Sequence, residues 1–196
     1  MNRNILWLIG LLFVIPFALL SCDETDGAVD PYTNWEERNV RFIDSIASVA
    51  KSNPEEWKMI HTYKYPPQSL LGGEVDEYVY CKILETGDGA KPLFTDTVAV
   101  NYRGRLIPLY DGTTVTFDQS YQGELDPETA VPTEFAVGNV INGWATALQS
   151  MHEGDRWLVY IPSDLGYGES EQTNIPANST LIFDIDLVKV KPLKGK

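Results

Sequence analysis

The sequence predicts an α+β domain with a mainly antiparallel sheet, preceded by a helical extension. Three patterns lead to this expectation. From residue 78 onward, several short segments have apolar residues at alternate positions, which is typical of half-buried strands. One segment of that region, at about 144–151, has helical spacing instead, and so does an earlier segment, 34–51. Several strands around a single short helix are typical of the α+β class.

The N-terminal segment has the pattern of an export signal. Residues 5–20 form a continuous apolar run that follows Arg3 and the amino terminus. The run is shorter than the roughly 20 residues that span a membrane comfortably, and Pro16 interrupts it. We therefore expect the apolar core of a secretory signal.

The residues after this run add a second signal. Leu19-Leu20-Ser21-Cys22 resembles the lipobox of bacterial lipoproteins, in which the chain is cut before the cysteine and the new N-terminal cysteine carries the lipids. The resemblance implies a removable signal over residues 1–21. It also implies a protein of the bacterial cell envelope that lipid on Cys22 anchors to a membrane, on its periplasmic side or at the cell surface. An ordinary signal anchor with an incidental cysteine is the alternative.

Acidic residues dominate the chain, with 28 Asp and Glu against 15 Lys and Arg in 196 residues and a formal net charge of −13. We expect no nucleic-acid partner, because neutralising phosphates requires clustered Lys and Arg. Residues 22–32 are acidic and small, which predicts a solvated tether. A role of this tether in surface display is the alternative interpretation.

The counts of cysteine and histidine exclude several kinds of site. Two cysteines cannot build a disulfide scaffold or a Cys-rich zinc site, and two histidines leave little room for a His-based metal centre or triad. The sequence also has no phosphate-binding glycine loop and no Gly-x-Ser-x-Gly nucleophile motif. We therefore expect neither a metal nor a cofactor. Cys81 lies in a strand-like stretch and is expected to be a buried, unreactive thiol.

A helical extension and a linker are expected at residues 33–73. Thr33 and Glu36 form a capping-box pattern, and residues 53–56 (Asn-Pro-Glu-Glu) both stop the first helix and indicate the start of a second. The helix at 34–51 has an apolar stripe that must be covered, either by the main domain or by a second copy in a homodimer. The stripe consists of Trp35, Phe42, Ile43, Ile46, Val49 and Ala50.

The main domain is expected at residues 77–190. Its helix, at about 144–151, has Trp144, Leu148 and Met151 on one face and lies between two glycines. Strands are expected, in order, at 78–84, 95–106, 114–117, 157–161 and 181–188.

Short motifs recur in a fixed order along this domain: Val100-Asn101-Tyr102-Arg103-Gly104, Phe117-Asp118, Val140-Ile141-Asn142-Gly143-Trp144, Leu165-Gly166-Tyr167-Gly168 and Phe183-Asp184. Each motif alone is a weak signal, and for a single aromatic residue plain core packing is the simpler interpretation. The ordered series resembles the FKBP-type peptidyl-prolyl cis-trans isomerases. The resemblance implies that family's fold, an antiparallel sheet of five or six strands wrapped on one short helix.

The resemblance also implies a pocket between the concave sheet and the helix. Trp144 would form its floor, Asp118 would direct its carboxylate inward, and the Ile141 N–H and Tyr167 hydroxyl would donate hydrogen bonds to a bound peptide. The residues implied to be catalytic are Tyr102, Asp118, Ile141, Trp144, Tyr167 and Phe183. Those implied to bind substrate are Phe117, Phe135, Val140 and Ile175.

The chemistry of this family suits a chain without a nucleophile. The barrier to rotation about an X–Pro bond is roughly 18–20 kcal/mol, and rotation removes the amide resonance. A water-poor aromatic pocket therefore disfavours the planar amide relative to the twisted one. A tenfold acceleration needs only about 1.4 kcal/mol of differential binding, so no covalent intermediate is required.

Several segments depart from the family pattern. Residues 107–112 lengthen a hairpin that is typically short, the loop 119–132 is acidic, and the loop 168–174 is polar where some members have an apolar rim. Thr133 and Asn139 stand where some members have another pocket aromatic and an acid. These differences bear on peptide preference and on affinity for the drug tacrolimus more than on activity.

The sequence leaves three functional hypotheses. The first is a prolyl isomerase that assists the folding of exported proteins, with their proline-containing segments as partners. The second is a non-catalytic peptide-binding or assembly module on the same fold. The third is an unrelated β-rich, solute-binding lipoprotein, which would lack a helix against a concave sheet.

Overall fold

The computed structural model describes residues 29–66 and 73–193. The expected export signal, Cys22 and most of the acidic tether lie outside the described residues, as does part of the linker. Within the two described ranges, no helix has the length and apolar character needed to cross a membrane.

The described part of the chain contains two α-helices and seven strands. The helices are α1 (Trp35–Ser52) and α2 (Asn142–Leu148). The strands are β1 (Trp57–His61), β2 (Tyr78–Glu85), β3 (Thr97–Leu106), β4 (Thr116–Gln119), β5 (Thr133–Ala136), β6 (Arg156–Ile161) and β7 (Leu181–Lys191).

All strands belong to one sheet in the order β1-β2-β6-β7-β3-β4, and every pairing is antiparallel. The long strand β3 has two partners on one edge: residues 97–100 pair with β5, whereas residues 103–105 pair with β4. The predicted α+β class and antiparallel sheet are confirmed. The sheet has seven strands instead of five or six, and one of the additional strands is β1, from the region expected to be helical.

The expected second helix start at residues 53–56 is wrong. The amides of Glu56 and Trp57 both donate to the Asn53 carbonyl, which forms a turn, and the chain then enters β1. β1 pairs with β2 from Trp57 opposite Lys82 onward. Pairing with a distant strand thus outweighs the local Asn-Pro-Glu-Glu signal, which is a weak determinant on its own.

The expected capping box at the start of α1 is also absent. Asn34 precedes the helix in the left-handed conformation, with φ of 51°, and no side chain caps the first turn. The Thr33 hydroxyl instead donates to the Asp30 carbonyl at 2.7 Å, so it closes the preceding turn.

Helix α1 covers the outer face of the sheet. Its Ile43, Ala47 and Ala50 form one buried cluster with Trp57 of β1 and Tyr80 of β2. The apolar stripe is therefore covered by the chain's own main domain, which was the first of the two alternatives. Val49, expected in the stripe, is exposed instead, as are Val40 and most polar residues of the helix.

Helix α2 lies against the opposite face of the sheet. Strand β2 alternates accordingly: Tyr80 belongs to the cluster under α1, whereas Val79 and Cys81 belong to the main core with Trp144 and Leu148 of α2. Cys81 is fully buried and unpaired, and burial raises the pKa of its thiol, as predicted for an unreactive cysteine.

Candidate functional site

A cavity of about 290 Å³ lies where the N-terminal end of α2 meets β3, β4, β5 and β7. One strand residue from each of these four strands reaches it, and the remaining lining comes from the turn before α2, from α2 itself and from the loop before β7. The lining residues are Tyr102, Asp118, Phe135, Asn139, Val140, Ile141, Trp144, Tyr167 and Phe183.

Trp144 forms the floor of the cavity and is only 3% exposed. Three aromatic rings meet it edge to face, with centroid distances of 5.3 Å to Tyr102, 5.4 Å to Phe135 and 5.1 Å to Phe183. Such edge-to-face contacts hold rings in fixed orientations. The cavity therefore presents a rigid aromatic surface to an apolar guest.

The carboxylate of Asp118 has a defined partner. β3 and β4 pair with Gly104 opposite Asp118, and the Tyr102 hydroxyl donates to Asp118 Oδ2 at 2.9 Å. Burial, together with this hydrogen bond and the nearby negative charge, raises the pKa of Tyr102, which therefore stays protonated. A carboxylate beside an aromatic cavity is costly without a partner, and the Tyr102 hydroxyl provides one.

Along the cavity lining, the Ile141 N–H and the Tyr167 hydroxyl have no partner among the described residues, and the buried Nε1 of Trp144 has none either. The Ile141 N–H, in the residue directly before α2, donates no hydrogen bond within residues 29–66 and 73–193. The Tyr167 hydroxyl, in the β6–β7 loop (residues 162–180), likewise has no partner there. Burial and the Asp118 charge raise the pKa of Tyr167, so this hydroxyl remains a donor near neutral pH.

Two residues predicted to bind substrate lie outside the lining. Phe117 packs edge to face on Phe183, with a centroid distance of 5.4 Å, and so supports the wall from behind. Ile175 is 5% exposed and belongs to the main core. Side chains alternate along β4, so Phe117 and Asp118 cannot both point into the cavity.

One lining residue was not predicted as a site residue. Asn139 is exposed and lines the cavity two positions before Ile141. In the sequence it stands out only as a departure from the family pattern. Its position directly before the Val140–Trp144 motif was the signal that could have identified it.

The arrangement can hold an apolar ring on Trp144 and hydrogen-bond the polar groups beside that ring. Its acidic group, Asp118, is already engaged by Tyr102. Over the described ranges, no group of three or more His, Cys, Asp or Glu side chains is arranged to hold a metal ion. The cavity thus offers an aromatic surface with hydrogen-bond donors beside it.

Comparisons with known proteins agree with this geometry. The sequence pattern of the FKBP-type peptidyl-prolyl cis-trans isomerases matches residues 89–188. FkpA of Escherichia coli strain K12, named an FKBP-type peptidyl-prolyl cis-trans isomerase, is 41% identical over 112 residues, or 57% of this chain and 37% of its own length. The outer membrane protein MIP of Legionella longbeachae is 45% identical over 111 residues, or 56% of this chain and 43% of its own.

Solved structures extend the similarity to most of the chain. A peptidyl-prolyl cis-trans isomerase from Pseudomonas syringae pv. tomato DC3000 has a TM-score of 0.56 and 29% identity, covering 85% of this chain and all of that one. Escherichia coli FkpA has a TM-score of 0.54 and 31% identity, covering 82% of this chain and 64% of its own.

The aligned regions span less than half the length of the two curated relatives. The family match over residues 89–188 includes every residue that lines the cavity. A helix packed against a concave sheet and this match together exclude the unrelated solute-binding fold. The chain belongs to the family of FKBP-type peptidyl-prolyl cis-trans isomerases.

Proposed function

We propose that this protein catalyses cis–trans isomerisation of X–Pro bonds in polypeptides. The observation that carries the proposal is the cavity itself, whose lining combines the Trp144 floor with two donors that have no partner among the described residues, the Ile141 N–H and the Tyr167 hydroxyl. Family membership supports it, since the curated relative FkpA carries this activity in its name.

The mechanism follows from the chemistry of the amide. The prolyl ring packs on Trp144, and the donors at Ile141 and Tyr167 hold the peptide backbone on either side of the X–Pro bond. The aromatic wall excludes water, which favours the twisted amide because it has lost its charge separation. The residues act by binding the twisted state more tightly than the planar states, so the X–Pro bond rotates without any bond being broken.

The substrates we propose are proline-containing segments of exported proteins. The apolar run at 5–20 and the lipobox-like 19–22 support export and a lipid anchor on Cys22, in the bacterial cell envelope. One relative is named an outer membrane protein. Metabolic labelling with a radioactive fatty acid tests the anchor: the wild-type chain should take up label and Cys22→Ala should not.

A homodimer through residues 34–51 has little support. The apolar stripe that suggested it is buried against Trp57 and Tyr80 of the same chain. The non-catalytic alternative is not favoured either, because the cavity keeps Tyr102, Asp118 and Trp144 together.

The test is an exchange assay with the full-length chain in detergent and an Ala-Leu-Pro-Phe peptide. We expect wild-type acceleration, and a loss of at least about tenfold in kcat/KM for Trp144→Leu or Asp118→Ala, equivalent to about 1.4 kcal/mol. Asp88→Ala removes an exposed acid from another loop and serves as the control for charge. Trp157→Leu removes a buried core tryptophan that does not line the cavity, and controls for lost packing.

Circular dichroism confirms that each variant is folded before its rate is compared. A folded wild-type chain that binds the peptide but leaves its exchange rate unchanged contradicts the proposal and favours the non-catalytic module. Inhibition by tacrolimus, measured in the same assay, reports whether the changed loops still admit that drug.

A further inference from the structure

We propose that helix α1 is a positioning element of the cavity, and that Asn39 is the positioning residue through which it acts on Tyr167. This inference rests on the proposed isomerase function. The family match begins at residue 89, so α1 lies outside the matched segment. The helix would thus extend the catalytic unit beyond the segment that the family pattern matches.

Asn39 joins α1 to the end of the β6–β7 loop. Its side chain is 2% exposed, its Oδ1 accepts from the Thr180 N–H at 2.8 Å, and its Nδ2 donates to the Trp35 carbonyl at 2.7 Å. One turn earlier in the helix, Trp35 Nε1 donates to Ser179 Oγ at 3.0 Å. Two consecutive loop residues are thereby held by two side chains of α1.

The contact between Asn39 and the loop is made by hydrogen bonds and not by apolar packing. A buried amide side chain loses its water, which costs free energy unless every polar group finds a partner. Ile43, Ala47 and Ala50 already provide an apolar face for docking α1 on the sheet. Asn39 fixes the position of Thr180 relative to the helix, because a hydrogen bond forms only within a narrow range of distance and angle.

The same loop carries Tyr167 into the cavity. The Asn178 N–H donates to the Gly168 carbonyl at 2.8 Å, and the Gly168 N–H donates to the Ser163 carbonyl at 2.8 Å. Asn178 is two residues before Thr180, and Gly168 directly follows Tyr167. The position of the Tyr167 backbone therefore depends on the segment that Asn39 holds.

Part of the boundary between α1 and the loop is open. A cleft of about 460 Å³ lies between them, with Val40 and Asp44 of α1 on one side and Asp164, Glu169 and Asn178 on the other. The polar links between helix and loop are the Trp35 Nε1 bond, the Asn39 side-chain bond and a longer bond of 3.4 Å from the Thr180 hydroxyl to the Asn39 carbonyl. Without them, the loop could move toward the cleft and carry the Tyr167 hydroxyl away from its position at the cavity.

A double-mutant cycle with the full-length chain tests this coupling. We expect Asn39→Ala to lower kcat/KM for peptide exchange about threefold to tenfold, because small misplacements of a positioned group are costly. In the Tyr167→Phe background the same substitution should change kcat/KM less than about 1.5-fold, since the two residues act as one unit. Trp35→Phe keeps an aromatic ring, although a smaller one, and removes the donor to Ser179, and should act in the same direction.

Two variants of α1 serve as controls. Asn53→Ala removes the same kind of side chain from the helix end, where Nδ2 bonds only the Val49 carbonyl, and should leave kcat/KM unchanged. Ala47→Gly destabilises α1 by about 1 kcal/mol without removing a contact to the loop, and should also leave the rate unchanged in folded protein. A loss of activity in Ala47→Gly equal to that in Asn39→Ala would overturn the inference, because it would assign the effect to helix stability.

Amide hydrogen exchange separates this inference from the proposed function. Asn39→Ala should speed exchange at the Asn178 N–H, which bonds the Gly168 carbonyl and not Asn39 itself. This measurement decides the positioning role even if the wild-type chain proves inactive toward the peptide. Unchanged protection of the Asn178 amide, or equal effects of Asn39→Ala with and without the Tyr167 hydroxyl, would overturn it.

Discussion

At the scale of single residues, the cavity wall depends on a glycine that does not line it. Gly104 of β3 is paired with Asp118 of β4 and with Phe183 of β7. A Cβ at Gly104 would lie 2.6 Å from a ring carbon of Phe117 and 2.7 Å from one of Phe183. Because the interior is close-packed, the absence of this side chain is what allows both rings to approach the strand.

We predict that Gly104→Ala destabilises the protein and disturbs the site together. The methyl group should cost about 1–3 kcal/mol of unfolding free energy through overpacking. It should also lower kcat/KM, since the displaced Phe183 ring packs on Trp144. Urea unfolding and the exchange assay measure the two effects, and adding Phe117→Leu should restore part of both. A stability equal to that of the wild type would contradict this account.

At the scale of elements, α2 owes its position to a close approach between helix and sheet. Gly143 faces β6, and a Cβ there would lie 2.3 Å from Ile161 Cγ2. Trp144 follows directly, so the depth at which α2 packs on the sheet also sets the height of the cavity floor. Gly143 is thus needed because it lets α2 pack close to β6. Its backbone does not adopt a positive φ, so conformational freedom is not the reason.

We predict that Gly143→Ala costs about 1–3 kcal/mol of stability, because the fully buried Ile161 cannot move away without disturbing the core. Gly138→Ala is the matched control. Its added methyl group would lie 2.9 Å from the ring of Phe94, which is 47% exposed and contacts only the exposed Tyr63 among aromatic rings of the described residues, so this ring can shift at lower cost than a buried side chain. Chemical denaturation of both variants should therefore show a large loss for Gly143→Ala and a small one for Gly138→Ala. Equal losses would contradict the close-approach explanation.

At the scale of the whole molecule, the buried weak acids make the fold sensitive to alkaline pH. Burial raises the pKa of the Cys81 thiol above its ordinary value of 9.0, and the pKa of the Tyr80, Tyr102 and Tyr160 hydroxyls above 10.0. Below pH 9 or so, the folded and unfolded chains both hold these protons, so the shifts have no effect on stability there. Above about pH 9, the unfolded chain releases protons that the folded chain keeps, so the free energy of unfolding falls as pH rises.

We predict that the free energy of unfolding changes little through these groups between pH 7 and 8.5, and falls between pH 9 and 11. Urea unfolding at each pH measures the trend. Cys81→Ala removes the group that titrates first, so its decline should begin nearer pH 10, the ordinary range of tyrosine. A stability that rises above pH 9 would contradict the assignment of these groups as buried and protonated.

The sequence alone determined the family, the fold class and most of the cavity. The residues from Tyr102 to Phe183 stand in short local motifs whose order is itself the signal, and the strands and α2 have periodicities visible within a few residues. Helix α1 was predictable for the same reason, since 3.6-residue spacing is a local property.

Tertiary structure alone decided the features that depend on residues far apart in the chain. It made residues 57–61 a strand by pairing them with β2, gave Asp118 its partner in Tyr102, and placed Phe117 behind the wall. It also joined Asn39 to Thr180 across the domain. Local patterns report how a segment can fold by itself, whereas strand pairing, cavity lining and buried hydrogen bonds form only when distant segments come into contact.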